Sequence, residues 1–136
     1  MYKSILVPMA LDHGLSPDTL QVAQALLATG GLITALHVHE APQGSVAAYL
    51  DKDAVREGFE RAVQLLKDKT NGLEGVTPEI VKGHTYRSII DYAMANDIDC
   101  IVIGSHRPGF SDYLLGSTAA RVVRHAPCAV HVYRRT

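Results

Sequence analysis

Residues 100–104, Cys-Ile-Val-Ile-Gly, are an apolar run of strand length that shows no alternation and stops at a glycine. A strand with one wet face alternates, whereas a continuous run belongs to a strand buried on both sides, as in a parallel sheet covered by helices. The same signature recurs at residues 5–8 (Ile-Leu-Val-Pro), ended by Pro8, and at residues 32–38 (Leu-Ile-Thr-Ala-Leu-His-Val). Residues 77–81 and 129–133 supply two further strands. The last, Ala-Val-His-Val-Tyr, does alternate, which predicts a sheet edge with one wetter face.

Helical spacing fills the intervals. Ser16, Pro17 and Asp18 offer an N-cap, a first-turn proline and an early acid; Leu20, Ala23 and Leu27 continue that helix, which is expected to close at Gly30 and Gly31. After a linker rich in Gly, Pro and Ala, Val55, Phe59, Ala62 and Leu66 mark a second helix with one buried face. Tyr86, Ile89, Ile90 and Ala93 mark a third, and Ala119, Val122, Val123 and Ala126 a short fourth. The register is βαβαβαβαβ. It predicts an α/β fold, a five-stranded parallel sheet with four helices on its two faces and right-handed crossovers.

Composition bounds the functions such a chain can have. Its 136 residues predict one domain over residues 1–136, and 47% apolar against 20% charged residues excludes disorder. Thirteen Lys and Arg against fourteen Asp and Glu leave a net charge of -1, with no global field for nucleic acid or an anionic membrane. Any anion site must therefore be local. Cys100 and Cys128 lie in apolar surroundings and read as reduced core thiols. No stretch approaches the roughly 18 apolar residues of a membrane span, and the opening MYKSILVPMA lacks the apolar core of a signal peptide. The expectation is a cytoplasmic protein without membrane insertion.

In a doubly wound sheet, ligands bind beyond the carboxyl ends of the strands where strand order reverses. For the order 3-2-1-4-5, the loops concerned follow Pro8 and Gly104, and they read PMALDHG and GSHRPGFSDYLLGST. Arg107-Pro108-Gly109-Phe110 has the proline and glycine of a type II turn, which would fold the chain over a ligand. Gly116, Ser117 and Thr118 then begin the fourth helix. The glycine allows close backbone approach, Ser117 can serve as N-cap or phosphate donor, and the free N–H groups favour an anion, with polyphosphate the natural candidate. A charge-assisted bond from Arg107 would add about 1.5 to 3 kcal/mol, against about 0.3 to 1 kcal/mol from the helix dipole. A bland alternative fits the same spacing: the glycines serve a long turn, and Ser117 only caps a helix.

The stretch GSHRPGFSDYLLGSTAARVVRHAPCAVHVYR, with the opening KSILVPMA, resembles the universal stress protein family over nearly the whole chain, and specifically the branch of bacterial single-domain members grouped with the ATP binders. The resemblance implies a Rossmann-like, adenine nucleotide alpha hydrolase-like three-layer fold. It also implies a nucleotide loop of the form G-x2-G-x9-G-S/T. Gly104 and the Gly116-Ser117 pair match that form; Arg107 replaces the middle glycine, and the following stretch is one residue shorter. Carried over by position, Pro8, Met9, Ala10 and Val38 would line the adenine end, and Gly104, His106, Arg107, Gly109, Gly116, Ser117 and Thr118 the ribose and phosphates. The family commonly has Asp where this chain has Ala10, so a polar adenine contact is missing, although Asp12 lies two residues on.

The implied ligand is ATP, with ADP or AMP as alternatives, carrying a Mg or Mn ion on its phosphates. The resemblance also implies a homodimer through residues 129–133 and a regulated transporter or signalling protein as partner. A regulatory nucleotide binder is the leading expectation, with a nucleotide-independent interaction module or a weak ATP hydrolase as alternatives. Neither GxxxxGK[ST] nor GxGxxG is present. A hydrolase or nucleotidyl-transfer enzyme would have only Asp12 beside His13 as a base after the first strand. A phospho-receiver would need acids where Ala10 and Lys82 stand. His37 and His39 share a strand face, but no third metal ligand is evident, so core or loop roles are expected. Val46, Tyr49 and Leu50 form an apolar segment placed to cover the adenine pocket and to order on binding, or else to pack as a short helical turn.

Overall fold

The computed structural model describes residues 1–11, 18–40, 51–105 and 115–134. Among them the elements run β1 (Tyr2–Pro8), α1 (Asp18–Leu26), β2 (Leu27–His39), α2 (Lys52–Thr70), β3 (Val76–Lys82), α3 (Thr85–Ala95), β4 (Cys100–Gly104), α4 (Ser117–His125) and β5 (Ala129–Tyr133). The strands lie in the order β3-β2-β1-β4-β5, and every pairing is parallel. This is the α/β architecture that the unbroken apolar strands predict.

Alternate residues of the central strands feed two cores. Ile5, Val7, Ile33, Ala35, Cys100 and Val102 point to one face, where Leu20 and Ala23 of α1 and Leu66 of α2 cover them. Leu6, Leu36, Ile101 and Ile103 point to the other, against Ile89 and Ala93 of α3 and Ala119 and Val122 of α4. Burying such a side chain stabilises the fold by roughly 1.5 to 3 kcal/mol, which explains why β1 and β4 carry no polar residue at their centres. Pro78 sits within β3, which is an edge strand. Proline lacks a ladder donor, so an edge is where a sheet tolerates it.

The boundary between α1 and β2 differs from the sequence expectation. The helix ends at Leu26, and Leu27 already pairs with Tyr2 as part of β2. The next pair is Ser4 with Leu32, so residues 28–31 bulge out of register. Gly30 supports the bulge with φ of 80°. The two glycines therefore mark a kink inside a strand and do not close a helix. Ser16 and Pro17, the expected start of α1, lie outside the described residues.

Two carboxylates hold chain ends in place that periodicity does not reveal. Asp51 caps α2 by accepting from Asp53 N–H at 3.0 Å. Asp99 accepts from the N–H groups of both Lys3 and Ser4, at 2.9 and 3.0 Å, while its own N–H donates to Ser4 O at 3.0 Å. The beginning of β1 is thus locked against the approach to β4, which aligns the two strands whose far ends frame the site.

Candidate functional site

β1 and β4 pair at Ile5 with Cys100 and at Leu6 with Ile101, whereas β1 and β2 remain paired as far as Pro8 with Leu36. Among the described residues the β1–β4 ladder therefore stops two residues before Pro8. This leaves a crevice at the carboxyl ends, where strand order reverses.

Hydrogen bonds shape both rims. On the β1 side Met9 is buried, and its N–H donates to Leu36 O at 2.8 Å. The carbonyl of Met9 accepts from His37 Nδ1 at 2.9 Å; a carbonyl can only accept, so Nδ1 carries the proton. His37 thus pins the turn after β1, a role that the spacing of the two histidines did not suggest. Pro8 is half-buried, Ala10 is exposed, and Val38 is buried in the α3–α4 core.

On the β4 side Gly104 is exposed and Ser105 is buried, with Ser105 N–H donating to Tyr133 O at 2.9 Å. Gly116 N–H returns to Ser105 O at 3.0 Å, bringing the start of α4 directly onto the end of β4. A Cβ at Gly116 would stand 3.2 Å from that oxygen, so the glycine permits the approach. The cap residue of α4 is Gly116, not Ser117, which is the first helical residue. This corrects one of the two roles considered for Ser117. Ala120 N–H makes the first helical bond, to Gly116 O, so the N–H groups of Ser117, Thr118 and Ala119 have no partner within the helix. Tyr133 Oη donates to Asp18 Oδ2 at 3.1 Å, joining the end of β5 to the start of α1.

His106, Arg107 and Gly109 lie outside the described residues, as do Asp12, His13, Val46, Tyr49, Leu50 and the expected type II turn. Of the residues expected to bind a ligand, the structure places Pro8, Met9 and Ala10 on the first rim, Gly104, Gly116, Ser117 and Thr118 on the second, and Val38 on the neighbouring strand.

His39 packs edge-on against Phe59, 5.4 Å between centroids, and Lys82 Nζ lies 4.3 Å from the same ring. Burial, with His37 and Lys82 close by, lowers the pKa of His39. Both cysteines are free. Burial raises both thiols, with Cys100 reaching about 11 and Asp99 adding to the effect at Cys128. Since the thiolate is the nucleophile, Cys100 is expected to resist iodoacetamide at pH 8 in the native protein and to react once guanidinium unfolds the chain. Native labelling at the rate of a free thiol, read by peptide mass, would contradict the packed β4 described above. The raised pKa favours folding below the ordinary thiol value, and that contribution is lost as pH rises toward 11.

The sequence matches the universal stress protein family over residues 1–134. It is 30% identical to universal stress protein G of Salmonella typhimurium, over 98% of this chain and 100% of the relative. Its fold is similar to that of a universal stress protein in complex with cAMP, with a TM-score of 0.70, 18% identity and 99% of each chain covered. It is also similar to an Arabidopsis thaliana family protein with AMP bound, with a TM-score of 0.66 and 18% identity over 98% of this chain and 92% of that one. The parallel 3-2-1-4-5 sheet, the crevice between β1 and β4, and the glycine-led start of α4 agree with this match: the chain belongs to the universal stress protein family.

Proposed function

We propose that this chain is a cytoplasmic regulatory protein whose single domain, residues 1–136, binds an adenine nucleotide at the crevice between β1 and β4 and uses it to set its conformation or its contacts. The observation that carries this reading is the bond from Gly116 to Ser105. It holds the donor-rich first turn of α4 at the switch point, where three backbone N–H groups and the positive end of the dipole favour phosphate. Pro8, Met9, Ala10 and Val38 would then meet the base. Gly104, Gly116, Ser117 and Thr118, with His106, Arg107 and Gly109 of the intervening segment, would meet ribose and phosphates.

ATP is the preferred ligand, with ADP or AMP using the same base pocket; the AMP and cAMP complexes of the two relatives support an adenine ligand. A Mg or Mn ion would be carried chiefly by the phosphates, because Ser117 and Thr118 offer hydroxyl and not carboxylate oxygen. Pairing of β5, an edge strand, with its copy would form a homodimer and cover an otherwise open edge. The output would then be read by a transporter or signalling partner from the surface of the domain.

Thermal unfolding with Mg-ATP tests the reading. A ligand at a hundred times its dissociation constant should stabilise the fold by about 2.7 kcal/mol, enough to raise Tm by several degrees. No shift with millimolar Mg-ATP, ADP or AMP would favour the nucleotide-independent interaction module instead. The exposed Ala10, which offers no polar side chain to a base, is the observation behind that second reading.

A further inference from the structure

On a chain of net charge -1, positive groups gather in a groove of about 540 Å³ between α3 and α4. His84 and Arg87 line it from the start of α3, and Ser117, Arg121, Arg124 and His125 line it along α4. Among the described residues no Asp or Glu lines it, and the three guanidinium groups have no carboxylate partner. None of these cationic side chains is among the described residues that rim the strand-end crevice. Among the described residues only Ser117 is common to the two.

We propose that the α3–α4 groove is a second anion site, which binds a linear chain of phosphoryl groups. Ser117, Arg121, Arg124 and His125 stand at i, i+4, i+7 and i+8, so they form one stripe about 12 Å long. A stripe of that length exceeds what a single orthophosphate can contact. Guanidinium forks match phosphate oxygens in bidentate fashion and are always charged, which favours phosphate over weaker anions.

The surroundings of Tyr86 favour a phosphoryl chain over a stacked base. Arg121 Cζ lies 5.0 Å and Arg87 Cζ 6.0 Å from its ring centre, the His125 ring stacks on it at 6.3 Å and 29°, and His84 meets it edge-on at 5.1 Å. The ring, which itself lines the groove, is thus engaged by side chains of both helices; a base would have to displace them to stack there, whereas a chain of phosphoryl groups needs no ring face.

Calorimetric titration of the full chain with long-chain inorganic polyphosphate and with orthophosphate, at about 0.15 M salt, tests the site. Polyphosphate should bind at least tenfold more tightly than orthophosphate. Arg121→Gln, Arg124→Gln and, from the other helix, Arg87→Gln should each weaken it by roughly tenfold or more, the worth of a charge-assisted bond. All three side chains are exposed, and unchanged circular dichroism melts will show that the variants fold. The Mg-ATP shift should stay unchanged in these variants. Equal affinity for orthophosphate, indifference to all three substitutions, a parallel loss of the Mg-ATP shift, or equal binding of poly-glutamate or oligothymidylate of matched charge would each overturn the proposal. A failure of Mg-ATP to bind the parent protein, with polyphosphate binding intact, would leave this site standing and remove the nucleotide reading alone.

Discussion

Replacing Ile101 with alanine is expected to cost about 2 to 5 kcal/mol, a large share of the roughly 5 to 15 kcal/mol that holds a typical domain together. Ile101 is fully buried at the middle of β4, paired with Leu6 of β1 on one side and Val130 of β5 on the other. Its side chain belongs to the core that Leu36, Ile89, Ala119 and Val122 complete, so truncation empties a volume bounded by the sheet and by both α3 and α4. Backbone on that scale relaxes only in part, and the cavity adds to the lost transfer energy. Urea unfolding checks the value. Ile101→Val, which removes one methyl group, should cost only about 0.5 to 1.5 kcal/mol. A loss below about 1 kcal/mol for the alanine variant would mean that this layer is loosely packed.

The second large effect is expected at Gly31, where substitution by alanine should destabilise the protein by about 1 to 3 kcal/mol. A Cβ at this position would lie 2.6 Å from Leu27 Cδ1, 2.9 Å from Lys3 O and 3.0 Å from Ala28 O. Leu27 can turn aside, but the two carbonyls belong to backbone, and moving Lys3 pulls on the β1 segment that Asp99 clamps. At a compatible site the same change commonly stabilises a protein by about 0.4 to 1 kcal/mol, because the unfolded chain loses freedom. The sign of the measured difference thus decides the matter. Gly30→Ala is the informative neighbour: a Cβ there meets nothing within 4 Å, yet φ of 80° imposes a cost of roughly 1 to 2 kcal/mol. Gly30→Asn should recover part of that cost, since Asn tolerates this conformation, whereas no larger residue should rescue Gly31. Stabilisation by Gly31→Ala would place the bulge elsewhere.

The two cysteines illustrate how much chemistry local pattern can carry. Cys100 falls within an unbroken apolar run, and its burial, with the raised thiol pKa that follows, is what that run predicts. The start of α4 was legible in a different way. Gly116-Ser117-Thr118 marked a helix N-terminus beside a strand end, yet which residue caps it depends on the bond from Gly116 to Ser105, eleven positions earlier in the chain. His37 shows the limit more sharply. Its alternation with His39 suggested a shared strand face, while its actual partner is the carbonyl of Met9 just beyond the end of β1, 28 residues away.

Strand and helix identity, the parallel sheet and the two faces it buries follow from the sequence by itself, because periods of two and 3.6 and unbroken apolar runs act over a few residues. Tertiary structure alone decided where α1 yields to β2, since Leu27 is claimed by pairing with Tyr2 against its helical spacing. It likewise decided that Asp99 secures the start of β1, that the β1–β4 ladder ends short of Pro8, and that arginines from α3 and α4 meet around Tyr86. Each of these joins residues that are remote along the chain. Their energy is gained only after the intervening segments have folded into place, and no local periodicity encodes which partner they will find there.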